Sequence, residues 1–101
     1  MKKIELIYDK NCPNVGQARR NIQDALTRAG LPQIWDEWDR NGPLSPIHAK
    51  NFGSPTVLVD GKDVAGAPET EGNNCRIYLG ELNAILAAPP VEQIVSALKG
   101  I

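Results

Sequence analysis

Apolar residues open the chain at Ile4, Leu6, Ile7 and Tyr8, a short run that predicts a buried strand. Residues 9–11 interrupt it as a polar turn. From there the period changes. Val15, Ala18, Ile22, Ala25, Leu26 and Ala29 recur at steps of three and four, which places them on one stripe of a helix. Pro13 suits the first helical position, where its missing N–H is no loss. Gly30, with Pro32 just beyond, marks the helix end.

Residues 33–39 (QIWDEWD) predict a second strand, with Ile34 and Trp38 on one side and Trp35 on the other. Residues 40–44 form a loop, and Ser45-Pro46 reads as the cap and first turn of a short helix to about Asn51. Thr56 to Val59 is strand-like, Asp60-Gly61 is a hairpin turn, and residues 62–64 begin the return strand. Residues 66–74 are polar and turn-rich, and residues 75–79 suit either type. Residues 81–88 predict a short helix. Pro89-Pro90 then opens a last helix, with Val91, Ile94, Val95 and Leu98 on one face and Gly100 after it. The order is βαβ followed by ββα. We expect a single α/β domain over residues 1–101 with a mixed four-stranded sheet flanked by helices, its first crossover right-handed and parallel.

Composition narrows the function. Of 101 residues, 42% are hydrophobic and 23% charged, with a net charge of −1, so neither a nucleic-acid partner nor a polybasic membrane contact is expected. No apolar run approaches the roughly 18 residues of a membrane span. The opening MKKIELIYD has neither a long apolar core nor a small-residue cleavage site, so a cytoplasmic location is expected. In that compartment two cysteines, Cys12 and Cys75, are better read as reduced, catalytic or metal-binding thiols than as a structural disulfide.

Cys12 is the first candidate for chemistry. At a helix N-terminus, N–H groups without partners and a partial positive charge stabilise a thiolate, the form that attacks disulfides and binds soft metals. The plain alternative is a small buried residue that packs. Two thiolates would suit a two-coordinate soft ion such as mercury(II) or copper(I), whereas zinc and iron–sulfur sites need more donors than the chain has cysteines to supply. His48, the single histidine, reads as solvated or packed rather than as a ligand. Trp35 and Trp38 read as burial or edge protection, and Asp36, Glu37 and Asp39 as a solvated strand face. Arg19, Arg20 and Arg76 are the basic residues nearest the candidate cysteines, and a surface ion pair is the simplest role for them.

The segments YDKNCPNV, GSPTVLVDGKDV and CRIY, in that order, resemble the thioredoxin/glutaredoxin superfamily over nearly the whole chain. More narrowly, they are similar to small bacterial thioredoxin-like proteins with a CPN motif, some associated with mercury-resistance genes. The resemblance implies a thioredoxin-like fold and a cis Ser54–Pro55 bond facing the cysteine. Pro13, Ser54 and Pro55 would then contact the substrate, with Ser54 offering its backbone to an extended partner. It implies thiol–disulfide exchange with a partner protein or glutathione, glutathione serving as co-substrate and no other cofactor being required. One departure matters: thioredoxins carry Cys-x-x-Cys, and here Val15 stands at the second position. Resolution then falls to Cys75 or to glutathione, with Cys12 and Cys75 as the catalytic pair in the first case. The competing expectation is a non-catalytic binding module for a protein partner or a soft metal ion.

Overall fold

The computed structural model describes residues 2–66, 78–79 and 85–100. β1 (Ile4–Tyr8) leads into α1 (Val15–Ala29), which returns to β2 (Asp36–Asp39). A 3-10 helix (Ile47–Asn51) precedes β3 (Thr56–Val59) and β4 (Lys62–Asp63). β5 (Tyr78–Leu79) and β6 (Ile85–Leu86) pair as a separate antiparallel ribbon, and α2 (Val91–Lys99) follows.

The four longer-range strands form one mixed sheet in the order β2-β1-β3-β4. β1 runs parallel to β2 and antiparallel to β3, and β3 runs antiparallel to β4. A strand in the middle of a covered sheet needs apolar residues on both faces, and successive residues alternate between them. Ile4 and Leu6 accordingly join Val57 and Val59 against Val15, Ala18, Ile22, Ala25 and Leu26 of α1 and Ile94 and Leu98 of α2. Both helices thus cover the same face. The opposite face carries Ile7 and Leu58, covered by Ala49 of the 3-10 helix and by Phe52, with Trp38 packed alongside. Each large aliphatic side chain removed from water in this way contributes about 1.5–3 kcal/mol.

The punctuation works as the chain suggests. Gly30 ends α1 at φ 70°, and the Leu31 N–H reaches back to the Leu26 carbonyl at 2.9 Å. Asp60 and Gly61 both take positive φ, 52° and 82°, and join Val59 to its partner Lys62 in the tight hairpin expected of Asp-Gly.

Three local expectations are corrected. Pro13 is not the first helical residue. The first helical bond runs from Ala18 N–H to Asn14 O, so α1 starts at Val15 and Pro13 lies exposed in the preceding turn. The second strand starts at Asp36 rather than at residue 33, because Ile34 N–H folds back onto Pro32 O at 2.9 Å and leaves Ile34 exposed. Within the stretch 81–88, expected to be helical, Ile85–Leu86 is a strand paired with Tyr78–Leu79. Pairing overrides helix propensity here, and Pro89 biases the residue before it toward extended backbone. Residues 81–84 lie outside the described residues.

Candidate functional site

The site is built where three strand ends meet. Because β1 is antiparallel to β3 and parallel to β2, the end of β1, the end of β2 and the start of β3 share one edge of the sheet. Cys12 follows β1 there. Its N–H donates to Asp9 O at 2.8 Å, and Asn11 N–H donates to Asp9 Oδ1 at 3.0 Å, so Asp9 organises the turn that carries the thiol. The same turn is fastened to the start of β3, because Asp9 N–H donates to Ser54 Oγ at 2.9 Å.

The thiol faces the dipeptide that opens β3. Cys12 Sγ donates to Ser54 O at 3.9 Å, and the Ser54–Pro55 peptide is cis. Cys12 is 7% exposed and lies in the helix-side core, while Ser54 is buried and Pro55 fully so. Of the sequence-expected residues, the fold therefore brings Cys12, Ser54 and Pro55 together. It leaves Pro13 on the surface beside them. Cys75 and Arg76 lie outside the described residues, as does the polar stretch 67–74.

Two residues without an assigned role in the sequence complete this corner. The Tyr78 hydroxyl donates to Pro55 O, and Tyr78 is 4% exposed. Arg40, also buried, donates its N–H to Tyr8 O at 2.8 Å, and its guanidinium spans the next loop through Nε to Phe52 O at 2.9 Å and Nη2 to Lys50 O at 3.1 Å. A charge in a nominal loop (RNGPL) gave no hint of burial. Arg40 supplies the donors that the carbonyls ahead of Ser54 require once water is excluded.

A second buried polar group lies on the opposite face. Glu5 is 3% exposed, and its Oε2 accepts from Trp38 Nε1 at 2.8 Å and from His48 Nε2 at 3.0 Å. The sequence signal for it was a lone carboxylate inside the apolar run IELIY, where an ionised group must find partners. His48 is thus held by a carboxylate rather than solvated alone. Among the described residues, no three His, Cys, Asp or Glu side chains cluster as a metal site, and no helix is long and apolar enough to cross a membrane.

Arg19 is committed elsewhere. It forms a two-pronged ion pair with Glu37, Nη2 to Oε1 at 2.8 Å and Nε to Oε2 at 3.0 Å, and lies 5.8 Å from the Tyr8 ring centroid. Trp35 Nε1 donates to the same carboxylate at 2.9 Å. The Arg19 hydrogen bond holds the Glu37 carboxyl below its ordinary value, and Glu37 in turn raises Arg19. A cavity of about 580 Å³ opens at the far end of the sheet, lined among others by Lys2, Asp60, Lys62 and Gln93, and Cys12 does not line it.

Comparison with family models, with curated proteins and with solved structures finds no match to this chain.

Proposed function

We propose that the chain is a small thiol protein of thioredoxin-like fold, in which Cys12 carries out thiol–disulfide exchange. One observation carries the reading: Cys12 Sγ lies against the Ser54 carbonyl, 42 positions away in sequence, at the edge where β1, β2 and β3 meet. The sheet order β2-β1-β3-β4, with its βαβ and then ββα connections, supports the fold assignment.

In the proposed reaction the Cys12 thiolate attacks one sulfur of a disulfide. A Cys12–substrate disulfide forms, and the other sulfur leaves as a thiolate that takes up a proton. With Val15 at the second motif position, release falls to another thiol. If Cys75 attacks, the products are a Cys12–Cys75 disulfide and the reduced substrate. If glutathione attacks, the products are a glutathione-containing disulfide and regenerated Cys12.

The test is mixed-disulfide formation with glutathione disulfide, followed by mass spectrometry with site assignment. The expected result is modification at Cys12 at least tenfold faster than that of free cysteine at pH 7, abolished in Cys12→Ser. In Cys75→Ser the adduct persists if Cys75 is the resolving thiol. A rate at or below that of free cysteine overturns the reading. A second reading has its own support: Cys12 is only 7% exposed and packs in the core. That favours a thioredoxin-like module that binds a protein or a soft metal ion without turnover, and such a module leaves glutathione disulfide unchanged.

A further inference from the structure

We infer that Tyr78 is a positioning residue for the Cys12 thiol, acting through the Pro55 carbonyl; the inference rests on Cys12 being the reacting group. The contacts form a linear chain. Cys12 Sγ donates to Ser54 O, Ser54 is joined to Pro55 by the peptide bond, and the Pro55 carbonyl accepts from the Tyr78 hydroxyl. All four residues are buried. A buried carbonyl lacking a donor is costly, so the hydroxyl fixes the plane of the Pro55 carbonyl. Ser54 O belongs to the preceding peptide of the same buried dipeptide.

The other anchors of this dipeptide and of the loop before it come from different elements. Asp9 N–H holds Ser54 Oγ from the β1 end, and Thr56 Oγ1 donates to Gly53 O at 2.7 Å from β3. Arg40 holds Phe52 O and Lys50 O further upstream. Tyr78 is the anchor downstream of Ser54 that arrives from a distant part of the chain, 23 positions after Pro55. Its ring packing and its hydroxyl are separable. Tyr78→Phe keeps the shape and removes the donor.

A thiol that donates to a carbonyl is favoured in its protonated form, since the thiolate has no proton to donate. Loosening Ser54 O therefore releases the thiolate. The experiment is an NMR titration of the Cys12 ¹³Cβ resonance in the full-length protein and in Tyr78→Phe, with thermal unfolding of both. The expected result is a titration curve in the variant displaced from that of the wild-type protein toward more thiolate at a given pH. Superimposable titrations alongside a lowered melting temperature would show a structural role alone and overturn the inference.

A second measurement needs no variant. Coupling is reciprocal, so in the wild-type protein the Pro55 carbonyl carbon and the Tyr78 ring resonances titrate with the Cys12 midpoint. Resonances that stay fixed through that midpoint overturn the inference even if Tyr78→Phe fails to fold. Neither readout requires exchange activity. Inert glutathione disulfide with coupled titrations would remove the proposed reaction and leave the Tyr78 linkage standing.

Discussion

Glu5 and His48 lie 43 positions apart and meet at 3.0 Å, the buried carboxylate of the central strand accepting from the ring of the 3-10 helix that covers it. Trp38 donates to the same oxygen from the edge strand. One carboxylate therefore ties three elements over a face on which, among the described residues, no long helix packs. Glu5→Ala leaves both donors without their acceptor and is expected to cost about 2–4 kcal/mol. His48→Ala costs about 1 kcal/mol or less, because the His48 side chain is 42% exposed. Urea unfolding of the two variants checks the ranking, and equal losses would contradict it.

Arg40 is expected to behave as a loop anchor rather than as a surface charge. Arg40→Met removes the donors to Phe52 O and Lys50 O. The expected loss is about 2–3 kcal/mol, or roughly 10–20 °C in melting temperature for a domain of this size. Calorimetry decides it; a shift under about 3 °C would mean that water replaces the guanidinium.

The Arg19–Glu37 pair should give a small, pH-dependent stabilisation. Glu37 is depressed in the folded chain, so its contribution is full above the ordinary carboxylate value near 4.5 and is lost as pH falls through the lowered one. The raised Arg19 keeps its contribution across the whole physiological range. The Arg19 side chain is 45% exposed, which limits the pair to about 0.5–1 kcal/mol. Glu37→Gln should therefore lose that amount at pH 7 in urea unfolding. As pH falls through the lowered Glu37 value the difference from wild type should shrink toward zero, and a constant difference would point to packing instead.

The hairpin turn offers a test of backbone conformation without side-chain contact. Gly61 sits at φ 82°, and an added Cβ would meet nothing within 4 Å. Gly61→Ala is expected to cost about 1 kcal/mol from backbone conformation alone, and Gly61→Asn less, since Asn tolerates the left-handed region. Thermal melts of the pair give the order directly.

Much of this architecture was legible because its signals are local. The α1 stripe from Val15 to Leu26, the Gly30 cap and the Asp60-Gly61 turn each depend on residues within a few positions of one another. Cys12 and Pro55 were also recognisable as candidates, through the ordered motifs around them. Arg40 and Tyr78 were not, because their partners are carbonyls, and a carbonyl leaves no mark in a sequence. Glu5 was passed over inside an apolar run, and its donors come from elements 33 and 43 positions away. The error at Ile85–Leu86 has the same origin, since a two-residue strand exists only through its partner.

The central place of β1 has a consequence for synthesis. Ile4, Leu6 and Ile7 are synthesised before their antiparallel partners, which extend to Val59, 55 positions after Ile4. At about 5–20 residues per second the nascent strand waits roughly 3–11 s for its neighbour. Through that interval this apolar segment is without the strand that shields it. The charged pair Lys2-Lys3 just ahead of that segment is then suited to guard the emerging strand against self-association.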